Sequence, residues 1–295
     1  MTAGHEQNYR RRVAEVTDSR FLPNSSIEII RDVELTKPPQ FALFDFDGTL
    51  SLIREGWPDV MVPMMVEALA GTGTSETEQV LEKVARDFIM ELNGKQTIYQ
   101  MIRLAEEIEH RGGQPEEPTV YKHRYHEALM QRIRNRRESL ASGRIDPRDM
   151  LVPGSFDVLQ DLQARDVRLF LASGTDENYV REEVELLGLT PFFGTHVYGA
   201  VDDYKSFSKQ MVIERILQEN NVDGSLLLGF GDGYVEIDNI KTAGGTAVAV
   251  ASDETHRSGR PDAWKRDRLI GVGADVVIPD FAEIERLCQY LWKED

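Results

Sequence analysis

Two aspartates, Asp45 and Asp47, leave the end of one short apolar segment of the chain. The segment, residues 41–44 (FALF), follows two prolines and runs towards Gly48, which is typical of a buried strand that ends in a turn. Side chains alternate along a strand, so both carboxylates can share one face at its carboxyl end, where open parallel sheets bind ligands. Two anions that close together require a cation or a proton between them.

Polar residues also stand at the ends of other patterned segments. Ser173 and Gly174 follow the apolar run LFLA, and their hydroxyl and backbone N–H groups suit an anion bound at a helix start. Asp232 follows the run LLLGF and stands between two glycines. A lysine, Lys209 or alternatively Lys205, stands ahead of the helical pattern QMVIERIL. Taken singly, such residues are also common in plain turns and helix starts.

Taken together, these groups have the chemistry needed for phosphoryl transfer. A hard cation held by Asp45 and Asp232 would explain the paired carboxylates, and Mg²⁺ is the usual choice when a substrate supplies phosphate oxygens. An aspartate can attack phosphorus to give an aspartyl-phosphate, while the neighbouring Asp47 protonates the leaving group and later activates water. The lysine and the N–H groups would hold the phosphate oxygens where negative charge develops.

The periodicity of the chain predicts the scaffold that brings these residues together. From residue 153 onwards, helical patterns alternate with short apolar runs, which predicts a parallel sheet with helices on both faces, a doubly wound α/β fold. Four helical patterns without a strand signal occupy the interval between the first strand and this region. We therefore expect a catalytic core over residues 39–53 and 151–295, with a helical insertion at 54–150. Residues 1–38 form an extension, in which the alternation at 27–35 predicts an added edge strand.

Composition limits the classes of partner that the protein can have. The 295 residues carry a formal net charge of −17, which argues against a surface for nucleic acid or for an anionic membrane. The N-terminal residues lack the apolar core of a signal peptide, and no segment approaches 18 consecutive apolar residues. We expect a soluble cytoplasmic protein. Its single cysteine, Cys288, has no partner for a disulfide and is expected to be buried.

The motifs DFDGTL, LASGT, a lysine before a helix, and GFGDGYVEIDNIKTAGG occur in this order from Phe41 onwards, and the chain resembles the haloacid dehalogenase superfamily of phosphohydrolases. The first and last motifs are the specific ones. The resemblance implies that Asp45 is the nucleophile, Asp47 the general acid and base, and Ser173 a hydrogen-bond donor to phosphate. It also implies a metal held by Asp45, the backbone carbonyl of Asp47, and Asp232. The helical insertion resembles the C1 cap of the family, which reads the leaving group.

Two positions depart from the family pattern. Glu236 stands where members commonly carry an aspartate, four residues after Asp232; the longer side chain is still expected to reach the metal or a water bound to it. The lysine of the third motif usually precedes a proline, whereas this chain reads YKSFSKQM. We assign Lys209 to phosphate binding because it directly precedes the helical pattern, and we keep Lys205 as the second choice.

Further residues are assigned to substrate binding by their position in these motifs. They include Thr49 of the first motif and Gly174 of the second. Arg54 directly follows the first motif and is expected near the mouth of the site, the alternative being an ordinary surface arginine. A basic run in the last cap helix is interpreted as a solvated face, the alternative being that it supplies a second anion-binding group from Arg132, Arg134, Arg136 or Arg137. Residues 253–271 are expected to form a charged surface loop, the alternative being a contact with a partner subunit or the substrate.

These observations predict a Mg²⁺-dependent phosphatase for a small phosphorylated molecule. Within the superfamily, dehalogenases lack a carboxylate at the position of Asp47 and transport ATPases carry threonine there, so the chain resembles the phosphatases. A sugar phosphomutase of the same superfamily remains the alternative, since it also has both aspartates and a helical cap. A catalytically inactive protein that binds a phosphorylated ligand is less favoured because all four motifs carry reactive residues. A nucleic-acid end phosphatase conflicts with the acidity of the chain.

Overall fold

The computed structural model describes residues 8–13, 19–33, 35 and 37–294, and it contains one eight-stranded sheet in the order β1-β2-β8-β7-β6-β3-β4-β5. The strands are β1 (Arg20–Phe21), β2 (Glu28–Ile29), β3 (Phe41–Phe44), β4 (Arg168–Asp176), β5 (Val197–Ala200), β6 (Leu227–Gly231), β7 (Thr246–Val250) and β8 (Val276–Ile278). Strands β3 to β8 are parallel, and helices lie between them in sequence. The predicted doubly wound α/β fold is therefore confirmed.

Strand β3 lies in the middle of this parallel sheet, which places its carboxyl end between two others. Phe44, the last residue of β3, pairs in register with Leu171 of β4 on one side and with Phe230 of β6 on the other. All four residues of β3 are buried because helices cover both faces, which explains its uninterrupted apolar sequence. The loops that follow β3, β4 and β6 consequently meet at one edge of the sheet.

An N-terminal hairpin extends the sheet on its β8 side. Strand β2 pairs antiparallel with β8, and β1 pairs antiparallel with β2. Ile27 and Ile29 are buried, whereas the pairing covers only Glu28 and Ile29, so the strand is shorter than the alternation at 27–35 predicts. Within that interval, Glu34 lies outside the described residues. Glu28 is buried against the guanidinium of Arg266.

The helices of the core fill the intervals between the parallel strands. They are α5 (Ser155–Ala164), α6 (Glu177–Leu186), α7 (Thr190–Phe193), α8 (Lys209–Asn220), α9 (Tyr234–Thr242), α10 (Ala263–Gly271) and α11 (Ile284–Trp292). The expectation of one loop over residues 253–271 is wrong in its second half, where α10 begins. Asp262 caps this helix, because its carboxylate accepts a hydrogen bond from the backbone N–H of Lys265 at 2.8 Å.

Four helices lie between β3 and the core helix α5, as the sequence predicts. They are α1 (Pro58–Ala70), α2 (Glu78–Glu91), α3 (Thr97–His110) and α4 (Pro118–Ala141). Two of them begin with proline, whose missing N–H is no loss in a first helical turn. Their buried stripes, such as Leu104 in α3 and Ile133 in α4, pack on one another to form the helical cap. The domain boundaries drawn from the sequence stay a proposal.

The loop between α2 and α3 brings the cap directly onto the core. A Cβ atom on Gly174 would lie 2.7 Å from the carbonyl oxygen of Lys95, and a Cβ atom on Gly233 would lie 2.8 Å from the Cα of Gly94. A larger residue at either glycine would collide with the backbone of this cap loop and push the cap away from the core. The described structure therefore has the cap in contact with the loops at the carboxyl edge of the sheet.

No helix among the described residues is long and apolar enough to cross a membrane. Cys288 lies in α11 as a free, buried thiol, which confirms its predicted burial.

Candidate active site

Asp45 and Lys209 form a buried ion pair at the carboxyl edge of the sheet. The ammonium Nζ of Lys209 donates to Asp45 Oδ1 at 2.9 Å, although the residues are 164 positions apart in sequence. Lys209 is the first residue of α8, whose N-terminus is capped by the hydroxyl of Ser208. Lys205 instead lies in a short 3₁₀ turn and is exposed, with its ammonium over the ring of Tyr204. Of the two candidate lysines, Lys209 is thus the one that faces the aspartate.

Asp47 is held by hydroxyl groups from the carboxyl-terminal part of β4. The hydroxyl of Thr175 donates to Asp47 Oδ2 at 2.8 Å, and that of Ser173 lies 3.5 Å from the same oxygen. Burial raises the pKa of Asp47 to about 7, although the nearby charge of Arg54 acts to lower it. A carboxyl group with such a pKa can both donate and accept a proton near neutral pH.

The structure places the four motif loops together and adds Thr175, which sequence reasoning missed. Thr175 stands two positions after Ser173 on the same strand, so both hydroxyls lie on one face, and this period of two was the available signal. Gly174 lies between them under the cap loop and lines the cleft. Ser173 and Gly174 are therefore where the sequence predicted them, at the edge beside Asp47.

Thr49 has a different position from the one expected. It is fully buried and does not line the cleft, so its assignment to direct substrate binding is corrected. Its hydroxyl accepts a hydrogen bond from the backbone N–H of Asp232 at 2.9 Å and donates to Asp232 Oδ1 at 3.3 Å. Thr49 thus fixes the loop that carries Asp232 relative to the loop that carries the two aspartates of the first motif.

Asp232 is paired with a lysine that the sequence analysis did not select. Lys265 Nζ lies 2.8 Å from Asp232 Oδ2 and 2.7 Å from Glu254 Oε1. Lys265 and Glu254 both lie in the interval 253–271, which the sequence analysis interpreted as a surface loop. Glu254 lines the cleft and Lys265 is buried in the first turn of α10. The available signal was a lysine three residues after Asp262, a helix-capping residue.

The oxygen atoms near Asp45 and Asp232 suit a hard cation. Burial raises the pKa of Asp45 to about 6, Lys209 opposes this, and the negative charge of Asp232 raises it further, so the two carboxylates are close enough to repel each other. Gly48 leaves room between the loops, since a Cβ atom there would lie 2.3 Å from Asp232 Oδ2. Two carboxylate groups this close together are donors of the kind that Mg²⁺ prefers.

The carboxylate of Glu236 contacts the ammonium of Lys209, and both side chains are almost completely buried. Among the described residues, no three acidic, histidine or cysteine side chains come together as a cation site. The role of Glu236 as a metal ligand, or as a ligand to a water bound to the metal, stays a prediction.

Arg54 lines the cleft, as predicted, but it is buried rather than free at the mouth. Its guanidinium donates two hydrogen bonds to Glu183, at 3.0 and 2.9 Å, and lies over the ring of Tyr179. Its Nε also lies 3.6 Å from Asp47 Oδ1. The alternative of an ordinary surface arginine is wrong. Glu183, which is fully buried in α6, could not be identified from the sequence because a helical glutamate is ordinarily solvated.

The arginines of the basic run in α4 do not line the cleft. Arg132 pairs with Asp59 at its exposed end, and Arg137 pairs with Glu182 of α6. Arg136 donates to the backbone carbonyls of Ile53 and Glu55 and so fastens α4 to the first motif loop. The expected solvated face is observed for Arg132 and Arg134, and the alternative role in binding a second anion receives no structural support.

The cleft lies between these catalytic loops and the cap. Its empty volume, including the open mouth, is about 760 Å³. The cap side and its linker supply both apolar and amide side chains, namely Trp57, Met61, Tyr125, Asn93 and Gln100. Such a wall suits a small organic group that carries hydroxyls, because apolar surfaces contact its carbon atoms while amides pair with its oxygens.

The chain belongs to the haloacid dehalogenase-like hydrolase family, whose model matches residues 40–244. This assignment confirms the resemblance seen in the sequence and identifies the chain as an enzyme of that hydrolase family. A comparison with curated proteins gives no significant match.

Solved structures share the fold at low sequence identity. A "predicted phosphoglycolate phosphatase" from Haemophilus somnus is 17% identical, with a TM-score of 0.55 over 86% of this chain and 100% of its own. β-Phosphoglucomutase from Clostridium difficile is 14% identical, with a TM-score of 0.55 over 86% and 98%. A mutant of CbbY from Rhodobacter sphaeroides, in complex with xylulose-1,5-bisphosphate, is 18% identical, with a TM-score of 0.51 over 83% and 96%. Phosphatases and phosphomutases thus share this core and cap.

Proposed function

We propose that the protein is a Mg²⁺-dependent phosphatase that hydrolyses a small phosphate monoester through an aspartyl-phosphate. The observation that carries the proposal is the placement of Asp45, bound by Lys209, beside Asp47, bound by the hydroxyl of Thr175, in one cleft under the cap. Two carboxyl groups with different partners can act separately as nucleophile and as proton donor. A cytoplasmic location, predicted from the sequence, remains part of the proposal.

In the first step, a carboxylate oxygen of Asp45 attacks phosphorus while the bond from phosphorus to the ester oxygen breaks. Asp47 gives its proton to that oxygen, so the product leaves as a neutral alcohol. Lys209 and the hydroxyl of Ser173 bind the phosphate oxygens as negative charge develops on them. Bound Mg²⁺, held by Asp45, the Asp47 carbonyl and Asp232, would offset the charge shared by the phosphate and the carboxylates.

In the second step, Asp47 takes a proton from water, and the resulting hydroxide attacks the phosphorus of the aspartyl-phosphate. The acyl phosphate bond breaks, which releases phosphate and restores Asp45 as a carboxylate. Asp47 regains the proton that it needs for the next cycle, so the two steps balance. The pKa of about 7 at Asp47 supports this double use, because both forms of the group are populated near neutral pH.

A sugar phosphomutase is the second candidate, supported by the fold likeness to β-phosphoglucomutase. Such an enzyme would return the phosphoryl group to another hydroxyl of a bound sugar instead of to water. The two candidates differ in their products, since hydrolysis gives free phosphate and the mutase gives an isomeric ester.

The test is a phosphate-release screen with Mg²⁺ over sugar phosphates, nucleotides, phosphoamino acids and phosphonates. We expect at least one small phosphate ester to be hydrolysed by the wild-type protein and not by Asp45→Asn, which has nearly the same shape. Isomeric phosphate esters without free phosphate would favour the mutase. Equal phosphate release by wild type and Asp45→Asn would contradict the proposed mechanism.

A further inference from the structure

The edge of the sheet carries two lysines that occupy equivalent places around the paired aspartates. Lys209 bridges Asp45 and Glu236, while Lys265 bridges Asp232 and Glu254. Asp45 and Asp232 therefore each already have a lysine as an internal cation. The first lysine belongs to a motif of the family resemblance, whereas nothing in the motifs calls for the second.

Lys265 is fixed in this position by all three of its N–H donors. Besides the carboxylates of Asp232 and Glu254, its Nζ donates to the hydroxyl of Ser252 at 3.0 Å. That hydroxyl in turn donates to the carbonyl of Gly48 at 2.5 Å, next to the loop of Asp47. Because each of the three N–H donors of the ammonium already has an acceptor, another orientation of the side chain would lose hydrogen bonds.

The charge of Lys265 acts strongly because the group is buried. The whole residue is 8% exposed, and so is Asp232, so little water screens the charges from each other. Its positive charge at 2.8 Å from Asp232 Oδ2 must reduce the attraction of this carboxylate for any other cation. Glu254 on the far side of the ammonium acts in the opposite sense.

We propose that Lys265 is a resident counter-cation of the metal site, which weakens Mg²⁺ binding at Asp45 and Asp232, and that Glu254 limits this effect by sharing the ammonium. The inference rests on the metal site of the proposed function. Helix α10 and the loop before it would then help to determine the Mg²⁺ affinity of the site. Lys265 is in this sense a positioning residue, since it acts through Asp232.

Substitutions of Lys265 and of Glu254 should change the Mg²⁺ affinity in opposite directions. Removing the ammonium leaves Asp232 and Glu254 as adjacent anions without compensation, so Mg²⁺ should bind more tightly. Neutralising Glu254 leaves the full charge of Lys265 directed at Asp232, so Mg²⁺ should bind more weakly. A residue with only a structural role would weaken binding in both variants or in neither.

The experiment measures Mg²⁺ binding to the full chain by titration calorimetry, without substrate. For Lys265→Met we expect a dissociation constant lower by roughly ten-fold or more, and for Glu254→Gln one that is several-fold higher. The double variant should lie between them. Repeating the titration with Ca²⁺ should show the same order, because the effect is electrostatic and not a matter of coordination geometry.

A matched control comes from another lysine–carboxylate pair. Lys241 Nζ lies 2.8 Å from Asp275 Oδ2, at the end of α9 and away from the cleft. Lys241→Met should leave the Mg²⁺ dissociation constant within about two-fold of the wild-type value. Circular dichroism and thermal unfolding establish that each variant is folded, and Glu254→Gln, which removes no packed atom, decides the question if Lys265→Met does not fold.

The outcomes separate the inference from the function on which it rests. Tighter binding in Lys265→Met together with weaker binding in Glu254→Gln supports it, as does weaker binding in Glu254→Gln alone if the lysine variant is unfolded. Unchanged or weaker binding in a folded Lys265→Met, or unchanged binding in Glu254→Gln, overturns it while the phosphatase proposal stands. If the wild-type protein binds no Mg²⁺ at all, both this inference and the metal part of the proposed function fail.

Discussion

Arg54 and Glu183 form a buried, doubly hydrogen-bonded ion pair whose guanidinium lies 3.6 Å from Asp47. Glu183 lies on a core helix, while Arg54 lies on the segment that leads into the cap. Because the carboxylate of Glu183 offsets the charge of Arg54, the guanidinium is held near Asp47 without forming a full ion pair with it. The pair therefore allows Asp47 to keep a high pKa beside a cation.

Glu183→Gln should shift the proton-donating range of Asp47. With the charge of Glu183 removed, Arg54 pairs more strongly with Asp47 and lowers the pKa of Asp47. We expect turnover of an alkyl phosphate at pH 7.5 to fall roughly ten-fold, which corresponds to about one pKa unit. The stability of the fold should also fall by about 3 kcal/mol, because a buried arginine loses its compensating charge.

Glu182→Gln is the matched control for this prediction. Glu182 is the neighbouring residue on the same helix and pairs with Arg137 in an exposed position. Exposed pairs contribute about 0 to 1 kcal/mol, so both turnover and stability should stay near the wild-type values. Similar pH profiles for wild type and Glu183→Gln would contradict the role assigned to the ion pair.

The raised pKa of Asp47 predicts how activity depends on pH. The carboxyl group donates its proton only when protonated, and its pKa is raised to about 7, so leaving-group protonation is available below pH 7 and is lost above it. Turnover of an alkyl phosphate should therefore decline above neutral pH. An aryl phosphate with a good leaving group needs no proton and should show a weaker decline. If both esters decline in parallel, Asp47 is not the general acid.

Asp45→Asn should lower turnover by several orders of magnitude, because an amide cannot attack phosphorus. The fold should stay intact, since asparagine has nearly the same shape as aspartate. Asp47→Asn should also be severely impaired, but with an activated aryl phosphate it should accumulate phosphoenzyme, since the second step lacks its base. Acid-quench labelling and mass spectrometry would locate the phosphate. Retention of a tenth of wild-type activity by Asp45→Asn, or label on another residue, would overturn these roles.

Chelation of divalent cations should remove activity, and added Mg²⁺ should restore it, because phosphate, Asp45 and Asp232 together concentrate negative charge in a buried place. Asp232→Ala should raise the Mg²⁺ concentration needed for half-maximal activity more than Glu236→Gln does. The reason is that the carboxylate of Asp232 would bind the metal directly, whereas the carboxylate of Glu236 contacts the ammonium of Lys209. Equal Mg²⁺ dependence in wild type and both variants would contradict the proposed metal site.

Gly174→Ala should disturb the contact between the cap and the core. The added Cβ atom would lie 2.7 Å from the carbonyl oxygen of Lys95, so the cap loop must move away. We expect the KM of the natural substrate to rise about ten-fold, while stability changes little because the cap and core keep their own packing. Gly71→Ala is the control, since its Cβ atom meets only ordinary contacts at 3.4 Å and its φ of −61° suits alanine. A normal KM in Gly174→Ala would show that the close approach is not needed for binding.

Local patterns in the sequence determine most of the core. Four apolar residues between two prolines and the turn at Gly48 indicate a short buried strand, and the repeated alternation of helical patterns with short apolar runs predicts parallel strands joined by helices. Asp45 and Asp47 follow the end of β3 and Asp232 follows the end of β6, as predicted, whereas β4 continues past Ser173 to Asp176. These features depend on residues close together in the chain, so a single sequence carries them.

Tertiary structure alone decided which distant side chains surround those aspartates. Arg54 and Glu183 are 129 positions apart, and no periodicity links them. The pairing of Lys265 with Asp232 depends on where α10 begins, and the outward direction of Arg132 depends on which face of α4 packs inward. Contacts of this kind follow from how whole helices and strands pack, because burial of a charged group is stable only where the fold brings its partner.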